Sequence, residues 1–507
     1  VNHPFPSLLF PFPRELKETP PACLVDLGLD RLFAQMLKGK EAYDLAAWCY
    51  TPLTDPQEVS FRHEILGDLD DPRLQEPLRR WSQGVQQLRS LLEQAERSRH
   101  RLQKERWQLD AAEIYVGLVS LLNEIFEATP PRSRGLRAWA ASWGAYASSW
   151  AFRRFREEVT ELQQAFARLR YGLHVRGSRV EIFRLEQEVD EGLRIAQTFA
   201  PFAREAKLCL QPKPRGPQLN ALEERILDQV AALEPEPFCR LSLLLEEHKN
   251  WIEPGFWEGH CELQFYMSYL ELIAPLRARG LPFCLPRWCK ERPRVVRGFD
   301  LELALRGASV VPNDLELAPG ERIFVVTGPN HAGKTTFLRM WGQLHYLAAL
   351  GLPIPAQAAS LVLLDRIETH FERQEDLGQG QSRLESELAR MKEILDHAGP
   401  HTLVLLNESF ASTSSEDALL IWRRVLGRLQ AQGAWAACVT FLEDLAREAG
   451  VVSLVAEVDP RDPSLRTYRV RRGEPQGRAY AQAIADKYRL SAQHLKERLN
   501  ARRSAGS

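Results

Sequence analysis

Nowhere in the 507 residues is there an uninterrupted apolar stretch of the roughly 18 residues that a helix needs to cross a bilayer, so a membrane-spanning protein is not expected. An excess of one charge is missing as well. The 66 basic residues face 67 acidic ones, a formal net charge of -1, which excludes bulk attraction to nucleic acid or anionic lipid and makes any basic surface a local one. Lysine is scarce: only 12 of the 66 basic residues are lysine and the rest are arginine. Arginine favours bidentate contacts to phosphate and carboxylate, although base composition or heat adaptation gives the same bias. The eight cysteines lack the pairing of a disulfide framework. The one close pair, Cys284 and Cys289, has no second pair to complete a zinc site, so buried free thiols in a reducing compartment are expected. There is no internal repeat and no low-complexity segment. The amino-terminal "VNHPFPSLLFPFPRELKETPP" is broken by prolines where a signal peptide needs a continuous apolar core, and a cytoplasmic protein is the expectation.

The length points to two to four domains with ample apolar residues for a core in each. Residues 1–92 read as an amino-terminal helical region, with short helices punctuated by proline and aspartate as in "YTPLTDPQEVSFRHEILGDLDDPRLQEPLRRW". From 93 to 280 long stretches such as "LRSLLEQAERSRHRLQKERW" and "FRRFREEVTELQQAFARLRYGL" carry helical periodicity with dense charge, which predicts a lever-like arm. Alternation around Gly177 predicts a small hairpin near 173–185. After the loop-rich "LPFCLPRWCKERPR" the pattern changes to short apolar strands and glycine turns over 295–474: "RIFVVTG", "LVLLDRI", "HTLVLLNES" and "WAACVTF". The tail, 475–507, reads as short amphipathic helices suited to pairing.

"GPNHAGKT", Gly328 to Thr335, satisfies the phosphate-loop pattern GxxxxGK(S/T) and stands where the pattern acquires meaning, between an apolar strand and a helix. Gly328, Pro329, Asn330, His331, Ala332 and Gly333 would curl backbone N–H groups around phosphates, continuing into Thr336 at the start of the helix. Lys334 would reach the β- and γ-phosphates of ATP, and Thr335 would offer its hydroxyl to Mg2+.

Around this loop the sequence resembles the MutS family of ATPases. The segment "VVTGPNHAGKTTFLRMWGQLHYLAALGLPIPA" (325–356) is similar to that family's TGPNxxGKS/T loop and following helix. "VPNDLEL" (311–317), "DRIETHFERQEDLGQGQSRLESEL" (365–388), "LVLLNESFASTS" and "GRAYAQAIADKYRLSAQHLKERL" follow in the family's order. The likeness is close over 311–480 and looser over the arm. The "SLLFP" and "DLGLDRL" stretches resemble compact bacterial members without the amino-terminal mismatch-reading domain. The resemblance implies a multidomain fold: a mainly α-helical lever and clamp region, then an α/β P-loop (ABC-type) ATPase domain and a short helical dimerisation tail. It further implies ATP and Mg2+ as ligands, Glu408 as the residue that polarises the attacking water, and Gly380 with Ser382 as the signature that reaches the nucleotide of a second subunit, hence a homodimer. Glu408 can equally be read as a plain strand-end carboxylate, and Ser382 as a helix cap paired with Glu385.

The sequence departs from the family at two places in the site. Asn407 stands where an aspartate is expected; its amide oxygen can still accept from a metal-bound water, without the charge that would hold the metal firmly. Phe441 stands where the family has a histidine. A Phe-x-Glu match at Phe256-Trp257-Glu258 lies in the arm and reads as chance. The resemblance implies that the tip of the arm meets DNA backbone, which makes Arg176 and Arg179 at the hairpin the candidates for phosphate contacts. The expected function is ATP-driven clamping of DNA, with mismatch specificity unsupported. A nucleotide-gated scaffold with little turnover that signals to a protein partner, or an ABC-type ATPase with no DNA role, are the alternatives.

Overall fold

A computed structural model describes residues 5–176, 179–184, 219–372, 383–459 and 465–475. The chain forms two compact units that interleave along the sequence, Val1–Ser7 with Gly67–His260 and Leu8–Leu66 with Cys261–Ser507. The protein is multidomain, with many helices and mixed α/β sheets. Among the described residues no helix is long and apolar enough to cross a membrane. The described cysteines are all free, but only Cys23, Cys49 and Cys438 are buried; Cys239 is exposed and Cys261, Cys284 and Cys289 are partly so. The expectation of buried thiols thus holds for part of the set.

Among its described residues the first unit is helical with one hairpin. Asp71 accepts the backbone N–H of Arg73 and Pro72 stands in the first turn, which starts the helix Pro72–Arg97. Its apolar residues Leu74, Leu78, Trp81, Val85 and Leu88 recur every three or four positions and are buried. The helical pattern that runs through 88–107 in the sequence is interrupted at 98–100, and a second helix, Arg101–Ala128, begins there. Helices Arg134–Ser148 and Trp150–Arg168 are capped by the hydroxyls of Ser133 and Ser149, and Ala221–Leu233 by a capping box of Asn220 and Glu223. At the core, Trp81, Trp139, Trp143, Tyr115 and Phe256 pack edge to face, with ring centroids 5.0–6.3 Å apart. Phe256 is wholly buried here, which disposes of any projecting wedge at Phe256-Trp257-Glu258. Strands β1 (Tyr171–Arg176) and β2 (Arg179–Arg184) pair antiparallel, and their last pair sets Arg176 opposite Arg179.

The described residues of the second unit form two sheets. The smaller has the order β3 (Arg287–Trp288), β7 (Ala358–Leu361), β4 (Arg294–Gly298), β5 (Asn313–Glu316). The larger runs β12 (Arg466–Arg472), β11 (Val451–Val458), β6 (Ile323–Thr327), β10 (Trp435–Val439), β9 (Thr402–Asn407), β8 (Arg366–Phe371). All its neighbours are parallel except β11 and β12. The central strands β6 and β10 are buried at every position, which is why they read as unbroken apolar runs rather than alternating ones. "LVLLDRI", read as one strand, is divided: Leu361 ends β7 in the small sheet, and Arg366 opens β8 in the large one after the Asp365 N–H bonds to His401 O. An apolar run of that length does not reveal that it changes sheets.

The region 1–92, read as one element, is also divided. Leu8–Leu66 belongs to the unit of the large sheet because it covers the helix Lys334–Ala349. The Tyr346 hydroxyl donates to Cys49 O at 2.9 Å, Gln343 Nε2 to Leu27 O at 2.8 Å, and the Leu53 N–H to Ala349 O at 2.7 Å. Arg62, wholly buried, donates to Leu9 O and Leu350 O. The cover lies far away in sequence, and no local periodicity announces it.

Candidate functional site

Strand β6 delivers the chain to Gly328, whose φ of 126° and proximity to β11 both demand glycine: a Cβ there would lie 2.9 Å from Ala456 O. His331 and Gly333 are also left-handed, with φ of 59° and 90°. These bends curl the loop back so that the helix Lys334–Ala349 begins at Lys334 with no side-chain cap. Its first N–H groups remain available to an anion, and the helix dipole favours one. Lys334 is only 4% exposed. Its ammonium donates to Gly328 O at 2.8 Å and Pro329 O at 3.1 Å, and lies 4.6 Å from the centroid of the Phe441 ring. Burial holds its pKa below the ordinary lysine value; Glu408 opposes that shift and Arg466 adds to it.

Strand β9 ends beside this loop. The Thr335 hydroxyl donates to Asn407 Oδ1 at 3.0 Å, so the two oxygens expected near a metal are adjacent. Glu408 follows with φ of 50°, its N–H bonded to Val439 O at 2.9 Å on β10. Burial pushes its carboxyl above the ordinary glutamate value, Lys334 acts against this, and Glu372 reinforces it. These groups wall a cavity of about 680 Å³. Its lining includes the polar Asn330, His331, Lys334, Thr335, Thr336, Asp300, Asn313 and Glu408 and the apolar or aromatic Phe299, Val310, Val311, Met340, Phe441 and Tyr468. The lining thus mixes charged and polar groups with apolar surface, and the volume is that of a small-molecule site.

Of the residues expected at the site, Asn330, His331, Gly333, Lys334, Thr335, Thr336 and Glu408 line this one cavity. Gly328 and Pro329 hold Lys334 from behind, Ala332 is buried, and Asn407 joins through Thr335. Gly380 and Ser382 lie outside the described residues, as does the tail from 476 onward. Arg176 and Arg179 belong to the other unit, and their side chains lie outside what is described. The oxygen set suits Mg2+, which takes few protein ligands and completes its shell with water and phosphate: a hydroxyl, an amide oxygen and a nearby carboxylate are present.

Three contributors were not legible beforehand. Tyr468, left-handed with φ of 58°, lays its ring against Gly333. Asn313 bridges strands by donating to Tyr468 O at 3.1 Å and accepting the Val470 N–H at 2.7 Å. Arg466 donates from Nε to Asn330 O at 3.1 Å, which brings a guanidinium to the phosphate loop. The alternation in "RTYRVRR" signals a strand, but not that it returns beside β5 and the loop.

A family model described as MutS domain V matches residues 324–476. The DNA mismatch repair protein MutS of Granulibacter bethesdensis is 31% identical over 245 residues, 47% of this chain and 26% of that protein. Its counterpart in Synechococcus sp. (strain CC9311) is 34% identical over 247 residues, again 47% and 26%. That of Thermosynechococcus vestitus is 38% identical over 142 residues, 27% of this chain and 16% of the relative. The chain spans about a quarter of the length of the curated relatives it matches.

Proposed function

We propose that the chain is a MutS-family ATPase, on the match to MutS domain V and the likeness to MutS proteins, and that it binds ATP in the 680 Å³ cavity, hydrolyses it, and uses the cycle to act on DNA as a homodimer. The observation that carries this reading is the convergence on one cavity of Lys334, the Thr335–Asn407 pair and Glu408, which come from two separate strand ends.

The chemistry is in-line attack of water on the γ-phosphorus, with the bond to the bridging oxygen breaking to give ADP and phosphate. Glu408 accepts a hydrogen bond, and then the proton, from the attacking water; its raised pKa makes it a better base than an ordinary carboxylate. Lys334 exchanges its two carbonyl partners for phosphate oxygens and neutralises charge as it develops. Thr335, with Asn407 through water, would hold Mg2+, which supplies Lewis-acid stabilisation of the phosphates when bound. Gly380 and Ser382 complete the site of a partner subunit, and the hairpin arginines Arg176 and Arg179 contact DNA backbone. The setting is cytoplasmic.

A second reading is a nucleotide-gated scaffold that scarcely turns over. It is favoured by the uncharged Asn407 beside Thr335 and by the Phe441 ring over the catalytic lysine. ATP turnover and salt-dependent binding, measured across duplex, mismatched, branched and single-stranded DNA with Lys334→Ala as control, separate the two. ATPase activity that DNA stimulates and Lys334→Ala abolishes is expected. Tight ATP binding with no turnover on any DNA would favour the scaffold, and no ATP binding would overturn both.

A further inference from the structure

The turn that carries Glu408 is built against the ordinary preference of its residues. Glu408 and Phe410 are both left-handed, with φ of 50° and 63°, and neither is glycine. Side chains of L-residues rarely adopt this conformation, and it persists only where the surroundings over-determine it. The surroundings here are specific. The Phe410 N–H donates to Glu387 Oε2 at 3.0 Å, and the same oxygen takes a longer contact from the Ser412 hydroxyl at 3.5 Å. Ser409 Oγ meets His370 Nδ1 at 2.7 Å, and His370 Nε2 meets the Glu387 carbonyl oxygen at 3.2 Å. Trp422 Nε1 donates to Ser409 O at 3.1 Å. Glu387, His370, Ser409 and Phe410 are all buried.

We propose that Glu387, on the helix Arg383–His397, is a positioning residue for ATP hydrolysis: its carboxylate grips the Phe410 N–H and so holds the left-handed turn that aims Glu408 into the cavity. The inference rests on the hydrolytic reading above. A backbone N–H inside the core needs an acceptor, and a charged acceptor makes the stronger bond. With the acceptor removed, the turn relaxes towards a conformation its residues prefer. Glu408 then moves, while the phosphate loop, built on β6 and the helix Lys334–Ala349, does not. Glu387 therefore acts on the rate and leaves nucleotide affinity alone, a division that a general loss of packing would not produce.

The test compares the full chain with Glu387→Leu, which removes the acceptor at similar volume, and Glu387→Gln, which keeps a carbonyl acceptor. Single-turnover ATP hydrolysis, equilibrium ATP binding and amide exchange at Phe410 are read for each. The leucine variant is expected to lose about 10- to 100-fold in the hydrolysis rate, with ATP affinity within about twofold of wild type, and to exchange the Phe410 amide faster. The glutamine variant is expected to recover most of the rate and the protection. A folded leucine variant with wild-type turnover overturns the proposal, and so does a loss of affinity that matches the loss of rate. A wild-type chain that binds ATP but never hydrolyses it overturns the parent reading instead, and this inference with it. Should leucine prevent folding, Glu387→Asp, which shortens the reach by one methylene, is expected to give an intermediate loss of rate; unchanged turnover there is equally fatal.

Discussion

Replacing Asn407 by aspartate tests one of the two positions at which the site departs from the pattern it resembles. Asn407 Oδ1 is 3.0 Å from the Thr335 hydroxyl, so Asn407→Asp puts a negative charge into the shell of any cation that Thr335 helps to hold. Two unit charges about 4 Å apart interact by about 4 kcal/mol at an effective dielectric of about 20, and a dication doubles this to about 8 kcal/mol. Desolvation of the new carboxylate costs several kcal/mol, and the adjacent Glu408 repels it. A net gain of about 1.4–2.8 kcal/mol corresponds to a 10- to 100-fold tighter hold on the metal. The assay is a Mg2+ titration of nucleotide binding and of hydrolysis at fixed ATP, with Mn2+ binding followed by electron paramagnetic resonance as an independent readout. The midpoints are expected to fall by that factor in Asn407→Asp. Superimposable titrations in the two proteins would refute the assignment of Asn407 to the metal shell.

Glu408→Gln is expected to bind ATP normally and to lose about 10²- to 10⁴-fold in turnover; equal loss of binding would remove Glu408 from the role of base. Because burial raises the Glu408 carboxyl above its ordinary value of 4.5 and a base must be ionised, the hydrolysis rate should rise with pH through a midpoint above 4.5. An acid limb at or below that value contradicts the assignment. Phe441→Ala removes the ring that lies 4.6 Å from the Lys334 ammonium. If that ring must yield before Lys334 meets phosphate, a contact of about 0.5–2 kcal/mol is lost from the empty state and ATP affinity, measured by calorimetry, rises about 2- to 30-fold. Gly342→Ala would bring a Cβ within 2.6 Å of Leu405 and into Leu27, so thermal unfolding should show a loss of about 1–3 kcal/mol.

The phosphate loop was legible because its chemistry is local. Glycines at fixed spacing, a lysine and a threonine between an apolar strand and a helix leave few physical alternatives, and β6 and β10 announce themselves as fully buried runs, with β9 buried up to Asn407. Features that depend on a return of the chain from far away were hidden. Tyr468 and Asn313 are 155 residues apart and meet at one hydrogen bond. Thr369 reaches Asp26 across 343 positions. Neither has a local pattern. The division of "LVLLDRI" between two sheets belongs to the same class, since apolar character says that a segment is buried and not which strand it pairs with. Glu387 was hidden for another reason: a glutamate in "RLESELARM" reads as a solvated helix face, and only the packing shows that it points inwards to a backbone amide.

The interleaving of the two units bears on synthesis. When Leu8–Leu66 has emerged from the ribosome, the helix and sheet it will cover do not yet exist, and the whole of Gly67–His260 must be made first. At about 5–20 residues per second that is a wait on the order of 10–40 s. Throughout it Phe33 lacks its Tyr346 neighbour, and the Cys49 carbonyl and the Leu53 N–H lack their partners on the helix Lys334–Ala349. The nascent Leu8–Leu66 segment is therefore a natural client for chaperones that hold apolar segments. Slowing translation over 67–260 should lower the yield of native protein more than slowing it after Cys261.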